Sequence, residues 1–287
     1  LGAADDIVTG VIAYEAMPWR NDGQKAYHLV LSAVDLKSGI VVAKQDAWVL
    51  NRTIASKPIG IDADSPVYLL DSRTDGIIQT SHAAVGDTAP QEFRLGLTSE
   101  ALVAEGDALF MGGDYRGALQ RYQEAHAQPG GNSLKVLAGL YQSRRKLSDQ
   151  AGAEKAFGDL IHQALADNQI SLKFLFAVGS VDFNTSVDSS SDYAMWIREL
   201  AHGVRDSGKC LEIDGNSSHT GSETYNTQLS LQRAQRIQSM LAASYPDITQ
   251  RSKVVGKGYS NNLIGSGTDD LQDAIDRRVD FLLVACH

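Results

Sequence analysis

The chain has little cysteine, no clustered positive charge and no long apolar run, and each scarcity removes a class of function. Two cysteines in 287 residues form no Cys/His cluster, and none of the seven histidines stands four residues from another, so no metal centre is expected. The 26 basic residues are outnumbered by 35 acidic ones, a net charge of −9, and they form no basic helix that would track nucleic acid. No apolar stretch approaches the roughly 18 to 20 residues that span a bilayer. The chain is therefore expected to be soluble, with any membrane attachment made through an anchor outside it. Its first six residues carry neither a basic n-region nor an apolar h-region, which fits a removed signal peptide or a start downstream of an anchor. Asp214, Ser217, Ser218 and His219 hold the ingredients of a nucleophilic triad, but no Gly-x-Ser-x-Gly elbow accompanies them, and hydrolysis is not expected. Gly256-Lys257-Gly258 lacks the spacing of a phosphate loop and reads as the end of a strand.

What remains is ordinary globular composition, 43% hydrophobic and 21% charged, in a length that suits two or three domains. Residues 1–94 read as a β-rich module. Asp6 to Trp19 is strand-like, and Ala26–Val34 and Ile40–Ala43 flank the turn signal Asp35-Leu-Lys-Ser-Gly39, a hairpin pattern. The stretch YHLVLSAVDLKSGIVVAKQ resembles, over this one hairpin, envelope lipoproteins related to activators of peptidoglycan synthases. Residues 95–168 switch to helical periodicity. Gly106, Ala118, Tyr122 and Ala125, with Pro129 beyond, resemble a tetratricopeptide repeat (TPR), in which small residues let two helices approach and an aromatic fills their groove. A second copy follows with Gly139, Ala153, Phe157 and Leu160; a generic helical hairpin is the alternative. Two helix pairs are fewer than such arrays need alone, so these helices are expected to lean on a neighbouring domain.

Residues 169–287 alternate strand and helix signals. The expected strands are Leu172–Phe183, Cys210–Asp214, Lys253–Gly256 and Arg278–Ala285. Between them lie two amphipathic helices, one capped by Ser190 and carrying Tyr193, Trp196, Ile197, Leu200 and Val204, the other running from Asn226 to about Ser244. The fold class expected is multidomain α+β, with a C-terminal sandwich of a mixed four-stranded sheet and helices.

One segment carries most of the information. Asp214-Gly-Asn-Ser-Ser-His-Thr-Gly221 is followed by Asn226, Leu229-Ser230, Arg233-Ala234 and, later, Asp276-Arg-Arg-Val279. This resembles the OmpA-like peptidoglycan-binding domain, with Gly215, Thr220, Gly221, Asn226, Leu229, Ser230, Arg233, Ala234, Arg277, Arg278 and Val279 in register. The resemblance implies a ligand, the diaminopimelate of a peptidoglycan stem peptide, held by Ser218, Thr220, Asn226, Leu229, Arg233 and Arg278. A guanidinium fork such as that of Arg233 suits the ligand's carboxylate. Its ammonium needs an anion, and where the family carries Asp this chain has Ser218. Losing one partner of a buried charge pair typically costs roughly 2–5 kcal/mol, so weak binding is expected. Asp214 and Glu223 are nearby carboxylates in sequence, and a structural ion pair from Arg233 to Asp214 or Asp276 is the alternative to a ligand role.

The resemblance further implies a non-enzymatic protein without cofactors, periplasmic and outer-membrane associated, that anchors to or organises around peptidoglycan while the TPR-like helices bind envelope proteins. The alternative is an interaction scaffold of an envelope or secretion assembly whose OmpA-like domain has lost its ligand. In an oxidising periplasm Cys210 and Cys286 could pair if their strands run antiparallel in one sheet, and two unpaired residues are the alternative.

Overall fold

The computed structural model describes residues 5–22, 24–50, 65–67, 72–168, 170–172, 174–185, 188–262, 267 and 273–286. The N-terminal part is a three-stranded antiparallel meander of β1 (Asp6–Ala16), β2 (Lys25–Asp35) and β3 (Val41–Val49). The expected β2–β3 hairpin forms because the Asp35 carboxylate accepts from the Ser38 amide and Gly39 takes a left-handed φ of 72°. A helix, α1 (Ser72–His82), and a shorter one, α2 (Gln91–Leu95), add helical structure to the β-rich reading of this segment. Val34, Val41, Ala89 and Phe93 form the small core between sheet and helices.

Two helical hairpins follow: α3 (Leu97–Met111) with α4 (Tyr115–His126), and α5 (Leu134–Lys146) with α6 (Gln150–Ala166). Asp114 and Asp149 cap α4 and α6 in the same way, each accepting from the backbone amide of a glycine three residues on, Gly117 and Gly152. Tyr122 is the shared filler. A Cβ at Gly106 would lie 2.8 Å from its ring, and one at Gly139 2.6 Å, so both glycines are small because the tyrosine occupies their space. Its hydroxyl donates to Asp107 at 2.7 Å.

The C-terminal sheet has the order β4-β7-β5-β6, from β4 (Ile170–Leu172), β5 (Cys210–Gly215), β6 (Ser252–Gly256) and β7 (Val279–Val284). β5 and β6 are parallel, and β7 is antiparallel to both of its neighbours. Helices α7 (Tyr193–Ser207) and α8 (Glu223–Ser244) pack on the face that carries Leu211, Ile213, Val279 and Phe281. The helical hairpins lean on this unit, as expected from their number. Trp196 of α7 is buried, stacks on Phe157 of α6 at 5.5 Å and donates to the Tyr141 hydroxyl at 2.9 Å.

Three expectations need correction. The apolar run Leu172–Phe183 is not a strand: β4 ends at Leu172, and Phe174, Phe176 and Phe183 instead cluster around Tyr193 and Trp196, with Phe176 and Phe183 bridging a turn. Ser190 does not cap α7, because a short 3-10 turn over Asp188–Asp192 precedes it and Asp192 takes the N-cap position. Helix α8 begins at Glu223, three residues early, because the Ser222 hydroxyl caps it by accepting from Tyr225.

Cys210 and Cys286 are joined by a disulfide with 5.0 Å between their Cα atoms. The antiparallel register sets Cys210 opposite Val284, which brings the end of β7 back to the start of β5.

Candidate functional site

The motif residues meet where β5 ends and α8 begins, and backbone proximity dictates their identity. A Cβ on Gly215 would fall 1.9 Å from the Ser230 carbonyl oxygen, and one on Gly256 2.4 Å from that of Thr227. Only glycine lets α8 cross β5 and β6 this closely. Ser230 then turns its hydroxyl to both sides, donating to the Thr227 carbonyl and accepting from the Gly258 amide at 2.9 Å. Asn226 braces the loop from beneath: its side-chain amide donates to the carbonyls of Thr220 at 2.9 Å and Ser222 at 3.2 Å. Leu229 is buried on the same helix, and the Thr220 side of the loop is exposed.

Arg233 is 0% exposed. Its guanidinium donates to three main-chain carbonyls, Ser180 at 3.0 Å, Ala177 at 3.1 Å and Asn216 at 3.4 Å, and lies 5.0 Å over the Phe176 ring. The side chain therefore ties the 177–182 turn to the motif loop. These carbonyl oxygens engage donors of a fully buried cation, which helps this charge tolerate its depth. Ser218, at the position of the missing acid, is also buried, with 7% exposure. His219 is exposed and packs its ring against Tyr259 at 4.3 Å.

Ser218, Thr220, Asn226, Leu229 and Arg233 are thus gathered around one loop, whereas Arg278 is not. Its side chain lies with Asp280 on the sheet face turned away from α8, donating to the Asp280 carboxylate at 3.0 Å and to the Asn261 carbonyl at 3.1 Å. Asp214 shares that face, since Leu211, Ile213 and Gly215 alternate toward the helices. It therefore does not stand in for the acid missing at 218. Its Oδ2 pairs with Lys257 at 3.3 Å, and its Oδ1 is buried without a hydrogen-bond partner. Burial first, then the neighbouring acids Glu212 and Asp280, raise its pKa against the lowering pull of Lys257.

Sequence reasoning missed Asn216, whose amide donates to Asp280 at 2.9 Å and fastens the motif loop to β7. Strand alternation carried that signal: Asp214 and Asn216 are two apart, as are Arg278 and Asp280, and each pair falls on one face. The supporting carbonyls of Ala177 and Ser180 had no side-chain signature at all.

No family model and no curated protein matches the chain. Among solved structures, it is similar to the peptidoglycan-associated lipoprotein from Burkholderia pseudomallei, at 19% identity and a TM-score of 0.33, over 42% of this chain and 92% of that one. The periplasmic domain of Helicobacter pylori MotB gives 17% identity and a TM-score of 0.33, over 42% of this chain and 75% of that chain. The cell wall anchor of the T6SS from Pseudomonas aeruginosa gives 20% and 0.32, over 41% and 80%.

Proposed function

We propose that this chain is a cell-envelope protein that associates with peptidoglycan through its OmpA-like part, residues 169–287, and grips the stem peptide weakly. The observation that carries this reading is the convergence of Thr220, Asn226, Leu229 and Arg233 on the loop that follows β5, with Gly215 and Ser230 locked behind it. Weakness follows from two features of the same loop. Position 218 offers a hydroxyl where the ligand's ammonium needs an anion, and the Arg233 fork is already engaged by carbonyls, so a diaminopimelate carboxylate must compete for it. The helical hairpins of residues 95–168 are assigned to partner binding in this reading, and the β-rich residues 1–94 form a third part.

A second reading, an interaction scaffold that has lost the ligand, is favoured by the complete burial of Arg233. Co-sedimentation of the full chain with purified peptidoglycan sacculi separates the two. Retention that a diaminopimelate-containing stem peptide competes away supports peptidoglycan association, and a chain that stays in the supernatant supports the scaffold.

A further inference from the structure

Strand β1 is an unusual edge. It runs eleven residues at the outside of the N-terminal sheet, and among the described residues no strand pairs with its outer side. Between Asp6 and Glu15 it carries no charge, no proline and no register shift against β2. Those are the devices that normally keep an exposed edge from pairing with another chain. The opposite edge differs. β3 holds Lys44, which donates to the carbonyls of His82 and Ala83, and Asp46, which pairs with His28. Its ladder with β2 also shifts register at Ala33/Val34. On β1, Val8 and Ile12 are 66% and 69% exposed and lie on one face, beside Ala33 and Leu29 of β2.

We infer that β1 pairs antiparallel with β1 of a second copy about a two-fold axis at Val11, joining two three-stranded sheets into one. Charges and side-chain faces together select direction and register. With Val11 opposite its own copy, Asp6 faces Ala16 and Glu15 faces Ile7, so no acids meet and all eleven residues pair. Slipping by one residue in one direction sets Asp6 against Glu15, and an in-register parallel addition sets each acid against itself; like charges directly opposite are destabilising. The one-residue slip also turns the Val8/Ile12 face of one copy toward the α1 side of the other. In the chosen register Ile12 lies opposite Gly10 of the second copy, beside the Leu31 side chain that covers that glycine, and both α1 helices stay on one face. A second copy fits because in this register the strand's own acids stay apart and its Val8/Ile12 face continues on the same side under two-fold symmetry.

The test is a pair of single cysteine substitutions in the full chain, whose native cysteines are already joined to each other. Residues directly opposite in an antiparallel pair have Cα atoms about 4.5–5.5 Å apart, inside disulfide range. Val11→Cys should therefore cross-link two chains under mild oxidation. Thr9→Cys should not, because Thr9 lies opposite Ala13 of the second copy and its own counterpart is about 14 Å along the strand. Sedimentation of the unmodified chain should give twice the mass of one chain at micromolar concentration. A monomer by sedimentation overturns the proposal, as does a dimer that neither cysteine links. Linking at both positions would indicate a parallel pair and overturns it too, and a stoichiometric complex with a different protein in place of the dimer assigns the edge to a foreign strand.

Discussion

At Asp214 a carboxylate lies under a sheet face with Glu212, Asp280 and Lys257, and burial raises its pKa above the ordinary carboxylate value. The linkage sign follows. Below the unfolded-state pKa both states hold the proton and the contribution is at its most favourable. As pH rises toward the raised folded pKa, the unfolded state releases its proton first, so stability is lost across that interval and then stays level. Asp214→Asn should remove this decline, and chemical denaturation at a series of pH values between acid and neutral would show a flatter profile. At neutral pH the variant should be about 1 kcal/mol more stable, because an unpartnered buried oxygen no longer carries charge. A steeper decline in the variant would mean that the Lys257 pair dominates. Arg233 makes the opposite prediction. Its removal leaves three carbonyls and the Phe176 face without their cation, so Arg233→Ala should cost about 3 kcal/mol or more. Arg233→Lys should recover only part, since a point ammonium cannot replace a planar fork. A loss below about 1 kcal/mol in urea denaturation would contradict the bracing role.

The close approach of helix α8 to strands β5 and β6 is set by glycine positions, Gly215 and Gly256. Gly215→Ala drives a methyl into the Ser230 carbonyl oxygen, backbone against backbone, with no flexible end to yield. Overpacking of this kind costs about 1–3 kcal/mol, and thermal unfolding should place Gly215→Ala at the upper end of that range. An unchanged Tm would show that the helix can retreat from the strand. The positions were legible beforehand, because Gly215 and Leu229-Ser230 stood in the chain as a motif, but the backbone contact between them was not. The Phe174–Phe183 segment was not. A short apolar run does not distinguish a strand from a buried turn, and here the aromatics serve the Trp196 cluster while their backbone carbonyls serve Arg233. Helix α1 was equally hidden, since Gly76, Thr80 and Ser81 interrupt its apolar pattern.

Across the molecule, the helical hairpins and the C-terminal sheet share one hydrophobic core, from Tyr122 and Phe157 through Trp196 to Phe281. Ion pairs from Arg145 to Asp192 and from Glu154 to Arg198 flank the junction. Residues 95–168 expressed alone should therefore show no cooperative unfolding, and residues 169–287 alone should fold with a lower Tm than in the full chain, because Trp196 loses Phe157 and Tyr141. Equal melting of the fragment and the full chain would show that the junction contributes nothing to stability. The disulfide between Cys210 and Cys286 closes the ends of β5 and β7 in the same unit. That placement was visible in the sequence as a strand start and a strand end, and only the antiparallel register decided between pairing and two free thiols. Weak ligand binding turns on Ser218 within the motif loop, and calorimetric titration of the full chain with a diaminopimelate-containing stem peptide measures it. Wild type should bind weakly, and Ser218→Asp should bind at least about tenfold more tightly, part of the roughly 2–5 kcal/mol of a buried charge pair. Tight binding by wild type that Ser218→Asp leaves unchanged would place the ligand elsewhere and contradict the account.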